Sequence, residues 1–358
     1  MRIEAYRGYA TRTAVFVSGR VLASRAPGVL RERDNLWRNL VDAYHRFGTD
    51  EVPHVPVTVA FAGHERTAET DADGYYHVEL PRADGSGEAW LTAAARCSLQ
   101  GEDVSATHEI VAPGGEAEFG VISDLDDTVI ETNVTRILTA AKLTFIGNAK
   151  TRKPLEGVAA LYASLQSGTV GRAVNPIFYV SSSPWNLYDL FCHFMELNEI
   201  PKGPMFLRDY EIHPKKLAKT RDHRSKLDRT LQIMAHFPEL PFLLVGDSGQ
   251  HDAGLYAEAA TLHPHRIKAI YIRDVDPATA TKRDDHVREH IKTAAAHGVP
   301  MLLAPDSQAM AHHAAELGLI PARKEAEVKV EVAKDHERPN PGAAAVTEAL
   351  GIEHSTGR

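Results

Sequence analysis

Phe119-Gly-Val-Ile-Ser-Asp124-Leu-Asp126-Asp127-Thr128 is an apolar run that stops in three carboxylates and a hydroxyl. A short apolar run bounded by polar residues reads as a buried strand. Asp124 and Asp126 stand two apart and would share a face inside a strand; at its end they fall in the following loop, where α/β sheets carry their chemistry. Like charges packed this closely repel unless a cation lies among them. An all-oxygen donor set of this kind suits Mg²⁺. One carboxylate is placed to attack phosphorus, and a second, two residues on, to protonate the leaving oxygen. The competing reading is an acidic surface loop. The buried run before the loop and Thr128 within it favour a site.

The chain has 358 residues, enough for ~2 domains with sizeable cores. Its 43% hydrophobic and 25% charged residues are ordinary for globular proteins. A net charge of −8 argues against general nucleic-acid binding. Cys97 and Cys192 lack metal-type spacing and read as thiols in a reducing compartment, hence a cytoplasmic protein. The N-terminus lacks the apolar core of a signal peptide, and no run reaches the ~20 residues of a membrane span. Work on lipid would be done from the membrane's edge, as a peripheral protein.

Residues 1–117 read as a β-rich, sandwich-like domain. Strand candidates are Thr13–Leu22, Val55–Phe61, Glu65–Thr70, Tyr75–Leu80, Trp90–Arg96 and His108–Ala112. Leu36, Trp37, Leu40, Val41, Tyr44 and Phe47 recur at helical spacing after Asp34, a fitting N-cap. Asp71-Ala-Asp73-Gly74 is a turn signal, and the Thr-Asp-x-Asp-Gly-Tyr-Tyr segment resembles a turn of transthyretin-like sandwiches. Asp71 and Asp73 are read as turn formers rather than Ca²⁺ ligands. Pro113-Gly-Gly115 reads as a linker.

From Phe119 onward strands and helices alternate, the pattern of a parallel sheet with helices on both faces, over residues 118–321. Val129–Lys153 is a span before a helix at 155–166; its apolar stretch Ile137, Leu138, Ala141, Leu143, Phe145 and Ile146 reads as packed against its own domain, with a small flap over the site, able to touch lipid, as the alternative. Pro176–Val180 is a strand ending in Ser181, Ser182 and Ser183; Ser183 and Pro184 predict a helix start, capped and then primed by proline, running from about Trp185 to Asn198. Hydroxyls and free N–H groups there would cradle phosphate. A basic run comes after Arg208, and Lys226, opening an amphipathic helix, is the choice for a phosphate-binding lysine, with Lys215 and Lys216 as alternatives. The rest of that run is a solvated face able to meet anionic headgroups. Pro241–Val245 is a further apolar strand, ending in Gly246-Asp247-Ser-Gly-Gln-His251-Asp252. Asp247 would complete an oxygen shell around Mg²⁺ and Asp252 would support it. His251 reads as a loop residue holding the turn. Further strands lie at 267–272 and 299–303, helices at 284–297 and 307–317, and the tail 322–358 reads as disordered.

Three polar sets at strand ends, Asp124/Asp126/Thr128, Ser181/Ser182 and Asp247/Asp252, with Lys226 between the last two, occur in an order that resembles the haloacid dehalogenase superfamily of phosphatases. Ser-Asp-Leu-Asp-Asp-Thr-Val, Thr151-Arg-Lys-Pro154, Phe178-Tyr-Val-Ser-Ser-Ser-Pro-Trp-Asn-Leu-Tyr188 and Val245-Gly-Asp-Ser-Gly-Gln-His-Asp252 look like the catalytic domain of the actin-patch-associated phosphatidate phosphatases, relatives of lipins. The resemblance implies a haloacid-dehalogenase-like α/β fold and Mg²⁺-dependent hydrolysis of phosphatidate to diacylglycerol and phosphate. It implies Asp124 as nucleophile and Asp126 as acid and base. Thr128, Ser181 (or Ser182) and Lys226 would hold phosphate, and Asp124, Asp126, Asp247 and Asp252 the metal. The partner implied is a phosphorylated lipid at an anionic membrane surface. Three alternatives stay open: a phosphatase of soluble phosphomonoesters, a phosphotransferase or mutase, and a catalytically silent phosphatidate-binding module.

Overall fold

The computed structural model describes residues 1–23, 51–82, 88–99, 101–126, 128–130, 154–208, 224–279 and 281–337. The helix expected at 34–48, most of the span 129–153, and Lys215 and Lys216 lie outside these residues.

Eight strands build the first sheet: β1 (Arg2–Ala5), β2 (Gly8–Ala10), β3 (Ala14–Leu22), β4 (Pro56–Phe61), β5 (His64–Glu69), β6 (Tyr75–Pro81), β7 (Trp90–Leu99) and β8 (Glu102–Val111). Their order is β1-β3-β2-β8-β7-β4-β5, with β6 also on β3. The pairings are antiparallel except β2 with β8. The expected β-rich region is thus present, its strands joined in one hydrogen-bonded sheet. Alternation explains its core: Val57 and Val59 of β4, Tyr76, Val78 and Leu80 of β6, and Leu91, Ala93, Ala95 and Cys97 of β7 join one buried cluster. Ala62 (φ 48) and Gly63 (φ 80) close the β4–β5 hairpin with two left-handed residues, which matches the twist of the strands they join. The edge strand β5 (His-Glu-Arg-Thr-Ala-Glu) is almost wholly exposed, and its charges discourage further pairing. Asp71 accepts the N–H groups of Asp73 (3.0 Å) and Tyr75 (2.8 Å), the local bonding that makes it a turn former.

The rest of the described chain alternates. Strands are β9 (Gly120–Ser123), β10 (Ile177–Pro184), β11 (Met205–Arg208), β12 (Phe242–Asp247), β13 (Ile267–Arg273) and β14 (Met301–Ala304). Helices are α1 (Val158–Ser167), α2 (Tyr188–Leu197), α3 (Arg224–His236), α4 (Asp252–Leu262), α5 (Lys282–Ala296), α6 (Ser307–Glu316) and α7 (Ala322–Glu337). The strands form one sheet in the order β11-β10-β9-β12-β13-β14. β10–β11 and β13–β14 pair in parallel. β9 and β12 are buried along their whole length, as strands covered on both faces are.

Two local expectations change. Strand β10 runs through the serines, and a three-residue 3₁₀ turn, Trp185–Leu187, intervenes before α2 opens at Tyr188. Pro184 stands at the start of that turn, and no side chain caps it. Residues 322–337, read as part of a disordered tail, form helix α7. Its Val328 is fully buried and its Asp335 accepts the Gly157 N–H at 2.9 Å. Few apolar positions mark this helix in sequence, so its charge hides its packed face.

Contacts gather the chain into two units. The first comprises Met1–Ile122, Arg172–Tyr188 and Gly203–Phe242. The second comprises Ser123–Gly171, Asp189–Lys202 and Leu243–Arg358. Within the first unit, the Tyr9 hydroxyl lies 2.7 Å from His236 Nδ1, and its ring meets Phe178, Phe206 and Phe237.

Candidate active site

Chain order leaves β9 with β10 on one side and β12 on the other, so the direction of winding reverses there. Ligands of open α/β sheets bind at such reversals, beyond the strands' carboxyl ends. Asp124 follows β9 and Asp247 ends β12. The Asp124 N–H donates to Val245 O at 2.9 Å, which fixes the level of the two carboxylates along the strands.

Tight local turns aim the side chains. Val129 and Ile130 N–H both donate to Leu125 O at 3.0 Å, folding the chain back after the aspartates. Asp126 is partly exposed, whereas Asp124 and Thr128 are buried. Thr128 Oγ1 is buried and has no hydrogen-bond partner among the described residues, an arrangement that leaves it available to a bound group. Asp247 Oδ1 accepts the Gly249 N–H at 2.6 Å, and Asp252 Oδ2 accepts the Asp247 N–H at 3.3 Å. A Cβ on Gly246 would stand 2.4 Å from Asp252 Oδ2, so only glycine lets the start of α4 close on the end of β12. Asp252 lies in the first turn of α4, where the helix dipole favours a negative charge. His251 precedes that helix and its side chain makes no capping bond.

Carboxylate oxygens of Asp124, Asp247 and Asp252 all lie within 4.8 Å of one another, and the three residues are at most 1% exposed. Burying three like charges together is costly without a positive partner. Three hard oxygen donors fit a divalent cation of the Mg²⁺ or Ca²⁺ type. In a second acidic group, Asp274, Asp276 and Asp284, carboxylate oxygens also lie within 4.8 Å of one another, but the group is less buried.

Two further residues support Asp124 that the sequence reading did not single out. Ser123 Oγ donates to Asp124 O at 2.6 Å and lies 2.5 Å from the Tyr162 hydroxyl. Burial pushes the Tyr162 phenol well up, so it stays protonated. Tyr162 occupies an apolar position of a helical pattern, and nothing in the sequence separates it from a core residue.

Ser181, Ser182 and Lys226 belong to the first contact unit. Ser181 is buried and its Oγ accepts the Ser183 N–H at 2.9 Å; Ser182 is exposed. Lys226 is 6% exposed on α3, and its backbone carbonyl accepts the Thr230 hydroxyl.

Residues 119–274 match the family described as phosphatidate phosphatase APP1, catalytic domain. That match bears out the resemblance drawn from the motifs. The APP1-like stretch contains Asp124, Asp126, Thr128, Ser181, Lys226, Asp247 and Asp252. Phosphatidate phosphatase APP1 of Saccharomyces cerevisiae is 35% identical over 164 residues, 46% of this chain and 26% of the yeast protein. An uncharacterized protein of Schizosaccharomyces pombe is 28% identical over 158 residues, 44% of this chain and 25% of that one. The chain thus spans about a quarter of the length of these curated relatives. A carbohydrate acetylesterase from Xanthomonas citri aligns over 80% of this chain and 71% of its own, at 13% identity and a TM-score of 0.25, a likeness too slight to bear on the fold.

Proposed function

We propose that this protein is a Mg²⁺-dependent phosphatase, with a haloacid-dehalogenase-like domain over 118–321, that hydrolyses phosphatidate to diacylglycerol and phosphate. The observation that carries the reading is the buried Asp124/Asp247/Asp252 group inside the stretch that matches the APP1 catalytic domain. Asp124 attacks phosphorus; the bond to the leaving oxygen breaks and an aspartyl-phosphate forms. Asp126, partly exposed and two residues on, gives its proton to the leaving alkoxide. It then takes a proton from water, which attacks the aspartyl-phosphate, frees phosphate and restores Asp124. Thr128, Ser181 and Lys226 hold the phosphoryl oxygens, Ser182 being the alternative serine. Asp124, Asp247 and Asp252, with Asp126, would hold the metal, which supplies positive charge against the transferring phosphoryl group. Among the described residues no helix is long and apolar enough to cross a membrane. In this reading the protein is cytoplasmic and meets the lipid at an anionic membrane surface.

The test is phosphate release from phosphatidate vesicles with Mg²⁺, comparing wild type with Asp124→Asn. Release that is lost on substitution and on chelation is expected. Cleavage of soluble phosphomonoesters alone, dependent on Asp124, would remove the lipid from the reading. Sedimentation with phosphatidate vesicles without hydrolysis would leave a binding module.

A further inference from the structure

The segment after Ser181 is gripped by the N-terminal sheet, within one contact unit. Pairing of β10 with β11 shifts register between Val180 and Pro184, so the regular ladder ends where the serines begin. The chain then makes a single 3₁₀ turn, Trp185–Leu187, a weakly self-supporting element. Three residues of this segment are held from outside. The Tyr6 ring stacks on Trp185 at 4.1 Å and 20°, and lies 4.6 Å from the Tyr188 ring. The Arg7 N–H donates to the Tyr188 hydroxyl at 2.7 Å. Arg20 Nη1 donates to Asn186 Oδ1 at 3.3 Å.

Arg20 is 5% exposed, an expensive place for a guanidinium unless its donors are used. They are used: Nε donates to Asp73 O at 2.8 Å, Nη2 to Glu51 at 2.7 Å, and the plane lies 4.5 Å over the Tyr75 ring. This rigid fork ties the Asp71–Gly74 turn to the segment. Tyr6 is itself 1% exposed and donates to Glu4 at 3.0 Å.

We propose that Tyr6 and Arg20 are positioning residues for the segment 181–188, which makes the N-terminal sheet a working part of the phosphatase. The proposal rests on the reading that Ser181 holds a phosphoryl oxygen. A sheet that only stabilised the chain would not need to engage Trp185, Asn186 and Tyr188 by ring stacking and hydrogen bonds at once.

The test uses the full chain and two readouts: hydrogen exchange of the 185–188 amides, and inhibition of phosphate release by inorganic phosphate. In Tyr6→Leu and Asn186→Ala, exchange of these amides should quicken roughly 3- to 10-fold, in keeping with the loss of one stacked pair or hydrogen bond. The inhibition constant for phosphate should rise by a similar factor. Tyr6→Phe keeps the ring and should behave as wild type. Val59→Ala, in the enclosed core of the same sheet, should lower the melting temperature while leaving both readouts unchanged. Unchanged exchange in Tyr6→Leu and Asn186→Ala would overturn the proposal, as would an equal change in Val59→Ala. A wild type that hydrolyses no phosphomonoester would sink the phosphatase reading instead, and the exchange arm would still decide whether the sheet holds the segment.

Discussion

The second contact unit contains two trios of aspartates that look alike by distance and differ in origin. Asp274, Asp276 and Asp284 come from one stretch of eleven residues. Local chemistry accounts for each. Asp284 and Thr281 form a capping box at the start of α5, Arg283 pairs with Asp276 at 3.5 Å, and Asp274 accepts the Asp276 N–H at 3.1 Å. Asp124, Asp247 and Asp252 come from just after β9, from the end of β12 and from the start of α4, and the tertiary fold buries all three. A turn and a helix cap gather carboxylates at no great cost. Bringing them together from separate segments into the interior sets three desolvated charges against folding, and that is the arrangement a cation explains.

Substitutions should separate the trios sharply. Asp124→Asn should lower phosphate release by about 10⁴-fold or more, the scale of losing a nucleophile. Asp276→Asn should change it less than about two-fold, as substitutions away from special features do. Equal losses would erase the distinction. Next in size, Gly246→Ala forces its Cβ against Asp252 and should cost about 10²-fold in kcat, the usual penalty for displacing a reacting centre by ~1 Å. A binding readout sharpens the contrast without relying on turnover. Mg²⁺ at a hundred times its dissociation constant should stabilise the wild type by about 2.7 kcal/mol. Thermal melts should show that gain vanish in Asp247→Asn and Asp252→Asn and persist in Asp276→Asn.

The last two effects concern the local trio. Thr281→Ala removes the cap hydroxyl of α5 and should cost about 1 kcal/mol, read as a melting-temperature drop of a few degrees with phosphate release intact. Burial raises the Asp274 carboxyl, so the folded chain takes up that proton more readily than the unfolded one. Its charged form therefore opposes folding at neutral pH, and the opposition fades as pH falls through the native carboxyl's titration. Asp274→Asn should raise the melting temperature slightly at pH 7 and leave it unchanged at pH 3.

Much of this is legible in the residues alone. The alternation of Val57/Val59 and of Tyr76/Val78/Leu80 announces strands with one buried face, and the structure confirms them. The all-apolar runs before Asp124 and Asp247 announce strands buried on both faces. Carboxylates at the ends of those runs are visible as breaks in hydropathy, which is why the Asp124/Asp247/Asp252 group can be nominated. Strands β1 and β2 escape such a reading because they are four and three residues long, too short for a period to show. The helix start after Pro184 is misplaced because a cap-and-proline pattern also fits a 3₁₀ turn. The hold of Arg20 on Asn186 joins residues 166 positions apart, and no local pattern encodes such a pairing.

One contact bears on how the molecule is made. The N–H of Gly157, just before α1, is satisfied by the carboxylate of Asp335. His336 lies 3.1 Å from Glu156 beside it. A chain emerging from the ribosome exposes α1 some 178 residues before that carboxylate arrives. Domains fold from the N-terminus as they are synthesised. Here the N-terminal sheet can close early, while the entry to α1 waits for α7. That part of the second unit is therefore completed only once residue 335 has been made, and a ribosome stalled before Asp335 holds a chain with α1 still untied.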